Sequence, residues 1–422
     1  MKPITTTALV LIAAAAASPA AAQYGSAPSS GSVPSPQAPQ ASESGAKGGP
    51  KIAPSGKALK AIVELQTAVN KNDVANIPAK VAAAQAVATT KEDRYLIGEL
   101  QLKAAIAAKN DAAIASAVDM IAGSGYLDPA KTSALYSGLG TTLYNDKQYA
   151  QAQAAFQKAA AADPRNTEAP AMLAEAYFAQ GQKAEAVAAF QRAIQARAAA
   201  GQKPDEALLK RAVAIAYESQ SPSAIDLSRQ WVAAYPSPES WHNAIAIYRN
   251  LEHPDVEGTL DLLRLMQATN ALTTAGDYGL YSRAAAEQLN FNEAQAVLDA
   301  GIAAKLVNPA DPEFRDIAVG LKAKNKATAA DLALATKQAA NAMALLRIGD
   351  RYYGMGDYAK AAELYRMALG KPGIDTAVAN LHLGMALARA GDKAGATAAL
   401  NAVTGPRADI AKYWLAYLNQ RA

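Results

Sequence analysis

The sequence predicts an all-α fold, a solenoid of stacked helix-turn-helix hairpins behind a disordered N-terminal linker. Three observations predict it. Small and large side chains recur on a beat of about 34 residues, short polar turns fall at the same point of each cycle, and no stretch shows the alternating β-branched pattern of a strand.

The beat is clearest from Leu139-Gly140. Ala152 lies 12 residues after the glycine, Phe156 lies 16 after and Ala159 lies 19 after, with Asp163-Pro164 closing the repeat. Moved 34 residues to Ala174, the series reads Ala186, Phe190 and Ala193. It returns from Gly349 as Ala361, Tyr365 and Ala368, and from Gly384 as Ala396, Leu400 and Val403. A small residue in the first helix facing a small residue early in the second lets two backbones approach closely. The large residue then fills the space under the turn, and the next small one admits the following repeat. The turns agree: Asn145-Asp146-Lys147-Gln148-Tyr149, Gln180-Gly181-Gln182, Gly356-Asp357-Tyr358 and Gly391-Asp392 all carry helix breakers at one place.

Taken in order, residues 1–22 read as a secretory signal peptide. Lys2 supplies the basic start, Ala8 to Ala17 the apolar run, and Ala20-Ala21-Ala22 the small residues of a cleavage site. The run is half the roughly 20 residues a spanning helix needs. The expectation is a chain cleaved after Ala22 and released to the periplasm or secreted. Residues 23–54 read as a linker, because 18 of these 32 positions are Gly, Pro or Ser and so bury little apolar surface. Residues 55–131 read as N-terminal helical hairpins, with Lys57 to Val69 returning as Ile77 to Val87, and Glu92 to Ala108 returning as Ala112 to Ala122. A regular array is expected over 132–236, divergent helical repeats over 237–341, and a regular pair with a capping helix, Ile410 to Leu418, over 342–422.

The segments Leu139 to Pro164 and Ile348 to Leu369 resemble the tetratricopeptide repeat family, whose repeat is a helix-turn-helix of about 34 residues. Between them the match weakens: Trp241 to Tyr248 looks like a first helix, Phe291 to Leu298 like a second, and Ser228 stands where a large residue is expected. The resemblance implies six to eight repeats in a right-handed superhelix, with a protein or peptide partner held on the concave face lined by first helices. Carried over by position, the groove candidates are Thr141, Tyr144 and Asn145, then Glu175 and Phe178, then Asp350 and Tyr353, then Met385 and Arg389. Tyr144, Phe178 and Tyr353 share one slot, where an aromatic ring could grip a peptide or pack on a neighbouring helix. Relatives that clamp a terminal carboxylate use basic and Asn residues where Ser137, Thr141 and Met172 stand here, which argues against that ligand.

Chemistry is sparse. Zero cysteines remove thiolate and disulfide chemistry, and His242, His253 and His382 show no metal-ligand spacing. No nucleophile elbow or phosphate loop occurs, so neither an enzyme nor a cofactor or metal is expected. A net charge of +4 argues against nucleic acid as partner. The charge is uneven, however. Ser237 to Gly320 holds 12 acidic and 5 basic residues, whereas Leu321 to Ala422 holds 7 and 14. Such a dipole suits two solvated faces, or else steers a partner or docks one copy on another as a homo-oligomer. The reading is a periplasmic interaction scaffold serving an envelope process, with a self-associating structural array as the alternative.

Overall fold

The computed structural model describes residues 52–420, so the expected signal peptide and all but the last three residues of the linker lie outside the described residues. Among these residues the fold is all-helical, with 21 α-helices, one 3-10 turn and no strand. The chain divides between Gln202 and Lys203 into two compact units.

The N-terminal unit is four hairpins: α1 (Leu59–Asn70) with α2 (Ile77–Val87), α3 (Lys91–Ala107) with α4 (Asp111–Gly123), α5 (Pro129–Asn145) with α6 (Tyr149–Ala162), and α7 (Ala169–Ala179) with α8 (Lys183–Ala199). Helix starts follow from polar caps. Thr90 and Asp93 form a reciprocal capping box at α3, and Asn110 and Asp128 accept from backbone N–H groups at α4 and α5. Asp93 is fully buried yet stays ionised. Burial alone would raise its pKa, but the Ser55, Thr89 and Thr90 backbone N–H groups and the Ser55 hydroxyl hold it below the usual carboxylate range. Ser55 is thereby tied to the start of α3, with 2.7 Å contacts from both its N–H and its hydroxyl.

The C-terminal unit runs α9 (Glu206–Glu218), α10 (Ser223–Ala234), α11 (Pro238–Glu252), α12 (Val256–Ala268), α13 (Ala275–Glu287), α14 (Phe291–Ala303), α15 (Pro312–Lys322), α16 (Ala329–Gln338), α17 (Ala342–Gly354), α18 (Tyr358–Leu369), α19 (Thr376–Ala390), α20 (Lys393–Asn401) and α21 (Ala408–Gln420). It closes on itself. The Trp241 indole N–H donates to Gln420 at 3.1 Å, the Gln420 amide donates to the Val232 carbonyl at 3.0 Å, and Arg229 pairs with Asp409 at 3.1 Å. The terminal helix α21 buries Ile410, Tyr413, Trp414, Tyr417 and Leu418. Ser228, in the slot where a large residue is expected, is fully buried beside Tyr413, and its hydroxyl donates to the Ile225 carbonyl at 2.8 Å. The small side chain there leaves room for α21.

The repeat geometry turns on one close contact. A Cβ on Gly140, Gly349 or Gly384 would lie 2.7, 2.6 or 2.5 Å from Phe156, Tyr365 or Leu400. The glycine therefore makes room for the large residue 16 positions on. The turns share one conformation, with Lys147, Gly181, Gly356 and Gly391 in the left-handed region at φ of 61°, 75°, 82° and 91°. Gly140→Leu is expected to lower stability by about 1–3 kcal/mol, because the Phe156 ring must leave its rotamer or the hairpin must open. A urea midpoint equal to that of the parent chain would show that the hairpin yields without cost.

Candidate functional site

Helix α12 has the sequence VEGTLDLLRLMQA, and Leu260 to Met266 are all buried. A helix buried over seven consecutive residues has no solvated face, so Asp261 and Arg264 enter a core and need partners there. Glu293 of α14 meets the guanidinium with both oxygens, accepting from Nε and Nη2 at 2.8 Å each. Nη1 lies 3.4 Å from Asp261, and the guanidinium stacks 4.6 Å from the ring centroid of Tyr353 on α17. The Tyr281 hydroxyl donates to Glu293 at 2.9 Å.

Beside this pair stands His382 of α19, only 1% exposed. Its Nε2 is 3.3 Å from Asp261 and its Nδ1 is 2.8 Å from Asp350, which also accepts from the Tyr365 hydroxyl at 2.8 Å. Burial works against a charged imidazole, but the two carboxylates outweigh it and push the His382 pKa up to about 10. Burial likewise opposes the Asp350 carboxylate, and His382, Arg264 and the Tyr365 hydroxyl together hold it down to about 2. Among the described residues no group of three or more His, Asp or Glu is arranged to hold a metal ion.

This cluster decides the fate of the sequence-predicted groove residues. In the C-terminal unit, Asp350, Tyr353 and Met385 are 2%, 5% and 0% exposed. The expectation that they face a groove open to a partner is therefore corrected. Helix α12 meets Asp350 through His382 and covers Tyr353 with Arg264. Arg389 is half-buried, donating to the Tyr358 hydroxyl at 2.9 Å and lying 4.9 Å over that ring. In the N-terminal unit Thr141, Tyr144, Glu175 and Phe178 are half-buried and Asn145 is exposed. The Tyr144 ring packs edge-on against Tyr149 at 5.2 Å, and the Thr141 hydroxyl donates to the Ser137 carbonyl at 3.0 Å. Burial pushes the Glu175 carboxyl up to about 7. Burial also raises the Tyr144 phenol, helped by the charge of Glu175.

Sequence reasoning passed over Asp261, Arg264 and Glu293. The available signal was two charges inside the otherwise apolar run Leu260 to Met266, a pattern that demands buried counter-charges.

The chain was compared with known proteins. Residues 143–203 and 346–410 match two models, each described as tetratricopeptide repeat. No curated protein sequence matches the chain. Among solved structures, Naa15/Naa10 bound to HypK-THB is 14% identical with a TM-score of 0.32, covering 82% of this chain and 57% of that one. This chain thus spans just over half the length of that relative. The apo form of RapI is 14% identical with a TM-score of 0.26, covering 74% and 96%. The pentatricopeptide repeat protein PPR10 from maize is 12% identical with a TM-score of 0.26, covering 84% and 51%. At these scores the likeness carries no argument about partner or activity.

Arg264→Met leaves Glu293 buried without its counter-charge and is expected to cost about 3–5 kcal/mol, read as a lowered urea midpoint for the C-terminal unit. His382 gives a pH signature. Its folded pKa of about 10 lies above the ordinary 6.5, so the stabilisation is complete below pH 6.5 and is lost as pH rises to about 10. Thermal midpoints should fall across that window, and His382→Gln should flatten the decline. An unchanged slope in the variant would assign it to other groups.

Proposed function

We propose that this chain, a tetratricopeptide repeat protein over residues 143–203 and 346–410, is a non-enzymatic scaffold that binds a peptide or protein on the first-helix face of α5 and α7. One observation carries the reading. The slots of Asp350, Met385 and Tyr353, sealed in the C-terminal unit, are only half-buried in the N-terminal unit, at Thr141, Glu175, Tyr144 and Phe178, with Asn145 exposed beside them. Half-buried aromatic rings beside a carboxylate offer the apolar anchor and polar contact that interface hot spots need.

On this reading residues 1–22 export the chain, and the scaffold serves a periplasmic envelope process. Lys2, the Ala8 to Ala17 run and the Ala20-Ala21-Ala22 site support that placement. No helix among the described residues is long and apolar enough to cross a membrane. A mature chain starting at Gln23, read by mass spectrometry, is the expected result, and an intact Met1 start would remove the export step. The alternative of copy-to-copy docking loses part of its electrostatic basis. Arg347 and Arg407 from the basic C-terminal stretch pair with Glu257 and Asp255 from the acidic one inside the same unit.

A photo-crosslinking residue at Tyr144 or Phe178 is expected to capture a specific protein in native cells, and one at Met385 to capture none. Tyr144→Ala should reduce that capture several-fold while shifting the melting temperature little. Equal loss of capture and stability would make Tyr144 a core residue and end the proposal.

A further inference from the structure

Helices α15 and α16 bury fewer residues than any other helix of the C-terminal unit: Phe314 and Leu321 in the first, Leu332 in the second. Phe314 and Leu321, seven positions apart, form one narrow inner stripe of α15. A second stripe runs through Arg315, Val319 and Lys322, at i, i+4 and i+7, and all three are exposed. An outward helix position in water is ordinarily polar, yet Val319 is 65% exposed, with a cation on either side along its own face. The loop that follows adds Lys324 and Lys326, both exposed. Lys326 donates to the Leu321 carbonyl at 3.1 Å, and Lys324 lies 5.7 Å over the Phe291 ring. Among the described residues none of these four cations meets a carboxylate at ion-pair distance. The neighbouring acids are turned elsewhere, Glu313 to Arg283 and Asp331 to the Thr328 cap. Asp316 is the one acid between residues 315 and 326.

We infer that this face of α15 and its loop docks on an anionic lipid bilayer, with Arg315, Lys322, Lys324 and Lys326 at the headgroup phosphates and Val319 entering the acyl boundary. The case is charge complementarity joined to an apolar side chain in the same stripe. Each cation held near an anionic leaflet adds attraction, and the attraction falls away within a Debye length. Lysine stems lie along apolar surface while their ammonium groups reach phosphate, and Val319 gains by leaving water. Helix α16 repeats the combination, since Leu334 is 57% exposed and Lys337 follows three positions later on the same face. Protein interfaces are anchored by aromatic rings, and single-stranded nucleic acid stacks on them. The one aromatic residue of these two helices, Phe314, is buried. Four cations and so little apolar area give peripheral, reversible attachment, not a permanent anchor. This bilayer face is apart in sequence from the partner face of α5 and α7, and the two stand or fall separately.

The test is sedimentation with vesicles, using the chain from Gln23 so that the apolar run Ala8 to Ala17 contributes no binding of its own. Vesicles of phosphatidylcholine with about one third phosphatidylglycerol should bind the chain at low salt. Pure phosphatidylcholine should not, and high salt should release the bound chain. Combined Lys322→Gln, Lys324→Gln and Lys326→Gln should lower the partition coefficient at least about tenfold. Combined Lys57→Gln, Lys60→Gln and Lys71→Gln, the same charge change at exposed lysines of α1 and its flanks, should leave it within about twofold. Because the chain has no cysteine, Val319→Cys carries a single bimane label, whose emission should shift to the blue on the anionic vesicles. Unchanged melting curves show that these surface substitutions leave the fold intact. Equal binding to both vesicle types, equal loss in the two triple variants, or a bimane label that stays in water on bound chain would overturn the inference. Polyglutamate binding that the first triple variant loses, with no vesicle binding, would make the occupant an acidic protein and equally overturn it.

Discussion

One guanidinium sets the architecture of the C-terminal half. Arg264 lies at 1% exposure, where an uncompensated charge costs several kcal/mol. Its compensation needs Glu293 from α14, Asp261 from its own helix and the Tyr353 ring from α17 to converge on one point. Asp261 in turn faces His382 of α19. Four helices are thus fixed against each other by groups that tolerate no slip. Moving α12 by one residue would turn the guanidinium away from both Glu293 oxygens. Apolar packing alone, as among the neighbouring leucines of α12, would accept several registers at similar cost.

The same constraint explains why equivalent repeat positions have different roles. A first helix offers the same slots wherever the repeat recurs, but an offered surface becomes a partner site only if the chain does not fill it. In the C-terminal unit α12 fills the face of α17 and α19, and Arg407 anchors the far end by pairing with Asp255 and Glu257. Part of the charge imbalance along the chain, Arg347 and Arg407 against Asp255 and Glu257, is taken up in these internal pairs, so counting charges by segment overstates what the surface shows. The same slots of α5 and α7 are half-buried rather than sealed, on the same repeat.

Much of the architecture was legible in the sequence because repeat packing is local. Ile77–Val87 has the bounds read from the sequence, and the other early helices start and stop within two residues of those expected. Polar caps and left-handed turns act over a few residues, which is the range sequence patterns encode. The divergent stretch, too, gave its helices at Trp241 and Phe291. What was hidden is long-range. Nothing near Tyr353 announces that an arginine from α12 will cover it, and nothing near Met385 says that its side chain will be fully buried. Candidate site residues were assigned by slot, and slots carry no information about a helix some 90 to 120 residues upstream. Ser228 shows the same limit: it read as a lapse in the repeat, whereas it makes space for Tyr413.

Closure of the C-terminal unit also has a consequence in time. Open arrays can fold as they leave the ribosome, since each hairpin needs only its predecessor. Here α12 is made long before α17 and α19, and at typical synthesis rates the delay until His382 emerges is on the order of ten seconds. During that interval the helix has an arginine and an aspartate but not all the groups that neutralise them, and its leucines lack their final cover. A nascent chain in that state keeps the α12 charges and leucines uncovered, whereas the N-terminal hairpins are already complete.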